Sequence, residues 1–268
     1  MRFIDTHCHY DFPPFEHQET TELARARSAG VEKIIIPAVT QARFSAVMQL
    51  ADTYSPLYAA LGLHPVWSDD HCDDDIDKLQ QWLHQRPEKL VAIGETGLDY
   101  FTPALAAQSA KQITFLKAQC ALAKRYDLPL ILHSRRTHDP LAGLLRQAQL
   151  PATGVIHGFA GSLPQAMAFV KLGYRIGVGG TITYPRAAKT RHTIASLPLS
   201  SLVLETDAPD MPLQGYQGQP NRPEQVAVVC QILAELRSEP AEQIAEVILE
   251  NTVQLFPRLQ TDNGQSPT

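Results

Sequence analysis

Residues 108–157 read QSAKQITFLKAQCALAKRYDLPLILHSRRTHDPLAGLLRQAQLPATGVIH, and the order of elements in this stretch decides the fold. It opens with a helical pattern, Gln108–Tyr126, in which Ile113, Leu116, Cys120 and Ala123 recur on one face. Pro129 then introduces a short apolar run, Leu130–His133; at the start of a strand its missing N–H costs little. A second helical segment, Pro140–Ala148, leads to another apolar run, Gly154–His157. Strand, helix, strand is a unit of two parallel strands joined by a crossover helix.

The same alternation extends in both directions. Strand-like runs occur at Arg2–His7, Lys33–Val39, Leu57–Leu63, Leu90–Gly94, Leu130–His133, Gly154–His157, Arg175–Val178 and Leu202–Glu205. Helix-like segments between them include Thr20–Ala29, Gln41–Asp52, Asp75–Gln85 and Leu163–Leu172. Gly30 and Gly173 stand where helix C-caps are expected. Eight repeats predict an α/β fold, a single (β/α)8 TIM barrel over residues 1–256. An open doubly wound sheet is the alternative with the same alternation. Glu224–Leu236 and Ala241–Asn251 are expected to close the chain as helices. Residues 257–268 lack apolar periodicity and are expected to form a flexible C-terminal tail.

Bulk properties exclude several classes. The net charge of −5 argues against a scaffold that grips nucleic acid through basic residues alone. It leaves room for an enzyme in which bound cations meet phosphate. The four cysteines form no CxxC pair, which disfavours a thiolate zinc site or a disulfide framework and predicts a cytoplasmic protein. No apolar run is long enough to span a membrane, and nothing points to an obligate protein partner, so a monomer is expected.

In such a barrel, functional side chains come from the C-terminal ends of several strands. His7 and His9 form an HxH pair closing the first run, and residues two apart on a strand face the same side. Glu95 closes the fourth run, His133 the fifth and His157 the sixth, and Asp207 follows the eighth. Singly, each has a bland reading as a core histidine or a helix-capping carboxylate. Convergence of all six at one end of a barrel is what predicts a metal site. Four imidazoles and two carboxylates exceed the needs of one four-coordinate cation, so two divalent cations are expected. The mixed nitrogen and oxygen set suits Zn, Mg or Mn.

Four stretches carry a resemblance to a known family: Phe3-Ile4-Asp5-Thr6-His7-Cys8-His9, Gly94-Glu95-Thr96-Gly97-Leu98-Asp99, Pro129-Leu130-Ile131-Leu132-His133-Ser134-Arg135 and Leu204-Glu205-Thr206-Asp207-Ala208-Pro209. Together with Asn221-Arg222-Pro223-Glu224, they make the chain resemble the TatD-type metal-dependent hydrolases (TatD DNase family) among the amidohydrolase-like barrels. Arg135-Arg136-Thr137-His138-Asp139 and the long 210–220 loop resemble the YjjV branch. The resemblance implies one cation on His7, His9, Glu95 and Asp207, and another on Glu95, His133 and His157, with Glu95 as the bridge. It also implies DNA hydrolysis, a magnesium-dependent exonuclease activity, so the partner expected is DNA or another phosphodiester.

Supporting roles follow from position. Asp207 is expected to take up a proton from the attacking water. His64, at the end of the third run, is expected to bind substrate or assist the leaving group, and Glu205 to support the ligands or carry a proton. Arg222 is expected to clamp a phosphate or a carboxylate, or else to stand as a helix-start residue beside Pro223, and Arg135, just after His133, to bind substrate near the mouth. Asp5 is expected to orient an imidazole, and Asp99 to do the same for the loop after Glu95 or to cap a turn. The acidic run Asp69–Asp75 lacks the order of a calcium loop and is expected to be a solvated helix start. Two other functions remain compatible with the ligand set: amide or ester hydrolysis on a small molecule, and a non-catalytic, metal-stabilised binding protein.

Overall fold

The computed structural model describes residues 1–259. Its strands are β1 (Phe3–Asp5), β2 (Val31–Pro37), β3 (Leu57–Leu61), β4 (Leu90–Asp99), β5 (Leu130–Arg135), β6 (Gly154–Ile156), β7 (Arg175–Val178) and β8 (Leu202–Leu204). All pair in parallel and in sequence order. The ring closes where Thr6 N–H donates to Leu204 O at 3.1 Å and Asp207 N–H to His7 O at 2.8 Å. Cys8 and Ala208 add a parallel bridge across the same seam. Sequential order and closure give the expected (β/α)8 barrel and exclude the doubly wound sheet, whose strand order would be permuted.

The helices are α1 (Glu19–Ser28), α2 (Phe44–Thr53), α3 (Asp73–Gln85), α4 (Pro103–Ala107), α5 (Ser109–Tyr126), α6 (His138–Ala148), α7 (Leu163–Val170), α8 (Ala188–Ser196), α9 (Val226–Leu236) and α10 (Ala241–Leu255). Of these, α4 and α8 had no counterpart among the sequence expectations. The reason is plain in α8: it is mostly polar and buries only Thr190, Thr193 and Ile194. The acidic run does open a helix, with Cys72 as the N-cap of α3 and Asp75 accepting the Cys72 N–H at 3.0 Å. All four cysteines are free. Among the described residues no helix is long and apolar enough to cross a membrane.

Side-chain parity separates two cores. Ile4, Ile35, Tyr58, Val91, Ile131, Val155 and Val203, from seven strands, meet inside the barrel. Their strand neighbours, such as Ile34, Ile36, Leu130, Leu132 and Leu202, pack outward under the helices. Leu255, Phe256 and Leu259 join the inner cluster, and Arg258 Nη2 donates to Pro87 O at 2.8 Å just ahead of β4. The expected flexible tail is thus corrected at its start, because Leu259 is buried in the inner cluster, although Pro257 is exposed. The rest of it, residues 260–268, lies outside the described residues.

Candidate metal centre

Inner-face parity carries straight from the core into the mouth. Ile131 is followed two residues later by His133, Val155 by His157, and Val203 by Glu205. β1 breaks this rhythm: parity with Ile4 would aim Thr6 inward, not His7. Asp5 Oδ1 accepts the His7 N–H at 3.1 Å, a side-chain turn that ends the strand and shifts its phase. The HxH pair therefore faces the mouth although β1 stops at Asp5. Asp5 Oδ1 also accepts the Thr206 N–H at 3.0 Å, and Oδ2 pairs with the Thr206 hydroxyl at 2.5 Å. Asp5 thus joins the ends of β1 and β8 and does not orient an imidazole ring, contrary to expectation. Burial raises its carboxyl to about 8.

Glu95 is delivered by an irregularity within β4, which runs on to Asp99 rather than ending at Gly94. The register with β5 shifts between Ile93 and Thr96, and the Glu95 N–H crosses to Ala38 O at 3.0 Å. Such a bulge re-aims a side chain, here into the barrel axis. Gly94 is required because a Cβ there would lie 2.6 Å from Ile131 Cβ. Asp207 arrives differently, from a residue in the left-handed region (φ 60°) beyond β8.

The six expected ligands converge. Glu95 Oε2 lies 3.1 Å from His7 Nε2 and 3.5 Å from His9 Nε2. Asp207 Oδ1 lies 3.4 Å from each of the same nitrogens, which are 3.3 Å apart. The other carboxylate oxygen, Glu95 Oε1, lies 3.1 Å from His133 Nδ1, 3.3 Å from His157 Nε2 and 3.0 Å from His64 Nε2. Glu95 is thus divided, one oxygen to each group.

This donor set fits cations better than protons. Glu95 Oε2 is buried and accepts no hydrogen bond, although two imidazole nitrogens stand within 3.5 Å. Four corners of a regular tetrahedron with edges like those around His7 lie about 2.0 Å from its centre, the usual Zn–N and Zn–O distance. The structure adds His64 to the candidate ligand groups, beside Glu95 and His133. However, His64 Nδ1 accepts the Val66 N–H at 3.0 Å, so the neutral ring carries its proton on Nε2 and donates to Glu95 Oε1. Burial pulls its pKa down to about 4, which keeps it neutral. His64 is therefore a hydrogen-bond donor at the mouth.

Without cations, protons supply the positive charge. Burial opposes ionisation of Glu95, but His64, His157, His7 and His133 outweigh it and hold the carboxyl well below the usual range. Burial likewise opposes Asp207, yet His157, His9 and His7 hold it at about 2. Burial opposes ionisation of His9 too, but the facing carboxylates of Asp207 and Glu95 outweigh it and raise the ring to about 10. The stacked rings of His7 and His157, 3.5 Å apart, diverge: burial and the facing ring lower His7, whereas the carboxylates around His157 raise it against burial.

A further ring of residues sets the candidate ligands. Asp99 Oδ2 binds His133 Nε2 at 2.7 Å and leaves Nδ1 facing Glu95, while Oδ1 accepts the Phe101 N–H at 2.8 Å, so Asp99 both orients an imidazole and caps a turn. Glu205 Oε2 lies 3.4 Å from His157 Nδ1, and Glu205 Oε1 accepts the Gly158 N–H. Beside these groups opens a cleft of about 690 Å³ lined in part by Phe101, Arg135, Arg136, Thr181 and Met211. Arg135 stacks on Phe101 with its Cζ 3.4 Å from the ring centroid. Arg222 is not brought to this cleft. Its Nη1 donates to Glu22 on α1, so the phosphate-clamp expectation for Arg222 is corrected: the buried Glu22 carboxylate takes the fork.

Comparison with known proteins agrees with this arrangement. The profile described as TatD related DNase matches residues 4–257. The chain belongs to the TatD-related DNase family. It is 62% identical over 255 residues to the uncharacterized metal-dependent hydrolase YjjV of Escherichia coli K12, covering 95% of this chain and 98% of that protein. The crystal structure of E. coli YjjV superimposes with a TM-score of 0.94 at 61% identity, covering 96% of this chain and 98% of that one. Human deoxyribonuclease TATDN3 is 32% identical over 268 residues, covering 96% of this chain and 95% of that protein. The metal-dependent hydrolase expectation, and the resemblance to the YjjV branch, are both met. Sequence reasoning missed the cleft aromatics Phe12, Trp67 and Phe101, whose signal was their place shortly after His9, His64 and Asp99.

Proposed function

We propose that this chain hydrolyses phosphodiesters of DNA at a centre of two divalent cations, with Zn, Mg or Mn compatible with its ligands. His7, His9, Glu95 and Asp207 would hold one cation, and Glu95, His133 and His157 the other. The observation that carries this reading is the divided Glu95 carboxylate, which offers one oxygen to each group. A paired centre of this kind, when loaded, lowers the pKa of water and neutralises charge on a phosphoryl group.

The protein groups do the rest. Asp207, ionised and open to the cleft, takes a proton from the attacking water and returns it toward the leaving group. His64, neutral with its proton on Nε2, donates to a substrate oxygen when that donor turns from Glu95. Glu205 and Asp99 keep His157 and His133 in the ring orientations that face Glu95. Arg135, at the lip of the cleft, offers its guanidinium to a flanking phosphate. The deoxyribonuclease name of TATDN3 supports DNA as the polymer.

A substrate panel tests the reading. The chain, loaded in turn with Zn, Mg and Mn, is offered phosphodiester, lactone and amide substrates and a short single-stranded DNA. Nucleotide release that ends on chelation, with circular dichroism unchanged, is the expected result. Turnover of acyl substrates alone would replace the phosphodiester reading by the small-molecule hydrolase. Asp207→Asn is expected to lose at least about a hundredfold in kcat, and an unchanged kcat would remove its proton role.

A further inference from the structure

A second, smaller cleft lies among the segments that follow β1, β2 and β3 and shares no lining residue with the 690 Å³ one. It has a volume of about 340 Å³ and is walled by Phe12, Arg43, Trp67, Asp70 and His71. It borders the centre through three contacts. The Phe12 ring meets the His9 ring edge-on at 6.1 Å, and the Trp67 backbone N–H and His71 Nε2 both bond to His64 O, at 3.1 and 2.8 Å. None of its residues has a part in the chemistry described above.

The walls specify the occupant. Trp67 is 43% exposed, unusual for an indole with a protein core to join. Arg43 lies over the Phe12 ring at 4.6 Å, but its charge is taken by Asp11, with Nε to Oδ2 at 2.9 Å. Asp70 adds a negative charge. A phosphate would be repelled, whereas a neutral planar group would find an indole and an arginine-backed phenyl ring to stack on. The larger cleft repeats the device, with Arg135 and Arg136 over Phe101 at 3.4 and 4.8 Å.

The geometry points to the Phe12–Trp67 cleft as a binding site for a second nucleoside, so that the substrate extends to both sides of the scissile phosphate, one nucleoside in each cleft. This rests on the phosphodiester reading and narrows it to diesters with a planar base on both arms. Trp67 is then a residue that selects substrate, not one that acts on the reacting atoms.

Two measurements test this. In the first, wild type, Trp67→Ala and Trp67→Phe, loaded with Mn, hydrolyse dithymidine phosphate and methyl p-nitrophenyl phosphate, which has one planar arm. Trp67→Ala is expected to raise KM for the dinucleoside about tenfold more than for the methyl ester, with kcat little changed and most of the effect restored in Trp67→Phe. An equal change on both substrates would overturn the inference. In the second, Trp82→Phe leaves Trp67 as the only indole, and its emission is followed as dithymidine methylphosphonate, which is not turned over, is added. Saturable quenching, absent with dimethyl methylphosphonate, is expected; no quenching overturns the site. If no diester is hydrolysed with any metal, the phosphodiester reading fails, and the titration still decides whether the cleft takes a nucleoside.

Discussion

Gly177→Ala tests how the mouth is built with a single methyl group. A Cβ at position 177 would sit 2.5 Å from Glu205 Oε2 and 2.8 Å from Glu205 Cδ. An ordinary contact needs about 3.4 Å, so the carboxylate must retreat by roughly 0.9 Å. Glu205 is buried and tethered through Oε1 to the Gly158 N–H, so retreat breaks that bond or drives Oε2 into His157. Overpacking contributes about 1–3 kcal/mol, and losing a charged hydrogen bond about 1.5–3 kcal/mol. The two share one movement, so we expect ~2–4 kcal/mol and a fall in Tm of roughly 5–10 °C. Cation affinity at the His133–His157 group should fall about 10- to 100-fold, as when other partners of ligating histidines are lost. Thermal unfolding of the metal-free chain reads the first quantity, and competition against a fluorescent zinc chelator reads the second. In a Glu205→Ala background the new methyl has nothing to displace, so Gly177→Ala should then be nearly silent. Losses that add within about 0.5 kcal/mol, or a destabilised variant with wild-type cation affinity, would refute the idea that Gly177 acts through Glu205.

Arg222→Ala should destabilise the chain by ~1–3 kcal/mol, because it strips the buried Glu22 carboxylate of its main partner, and should change KM for a phosphodiester less than about twofold. A tenfold rise in KM at unchanged Tm would return Arg222 to the substrate. Cation binding should release protons at neutral pH, since His9 is protonated up to about 10 without metal and only the neutral ring ligates. Calorimetry in buffers of different ionisation enthalpy should give about one proton or more per chain at pH 7.5, with affinity rising with pH, and zero release would contradict the protonated state. His9 also gives the metal-free chain stability that is full below its unfolded value of 6.5 and is lost as pH rises through about 10. Urea unfolding from pH 6 to 10 should follow that slope, and added zinc should flatten it.

Legibility in the sequence followed periodicity. All eight strands were visible because each buried run is short, apolar and bounded by a turn or a helical pattern. His133, His157 and Glu205 were readable as inward-facing because they continue the parity of Ile131, Val155 and Val203. What escaped were features where local backbone departs from that rhythm. The phase shift at Asp5, the bulge that aims Glu95 and the left-handed Asp207 each depend on contacts made by residues far apart in the chain, Asp5 with Thr206 and Glu95 N–H with Ala38 O among them. Arg222 failed for a related reason: a fork near the mouth in sequence was taken by a carboxylate on α1, about 200 positions away.

That contrast bears on how such a centre can stay fixed while its substrate changes. The candidate ligands His7, His9 and Glu95 are set by backbone that also closes or packs the barrel: Asp5 holds both HxH and the β1–β8 seam, and Gly94 lets β4 press on Ile131 beneath Glu95. A change there disturbs the fold as well as the site. Phe12, Trp67, Phe101 and Met211, by contrast, lie on loops beyond the strands, and the last three are exposed by 40–48%. They can be replaced without touching the core. The metal chemistry is therefore constrained by folding and the choice of substrate is not. This is why the ligands were readable from a strand pattern, whereas the aromatic walls of the two clefts, which no core demanded, became visible only in three dimensions.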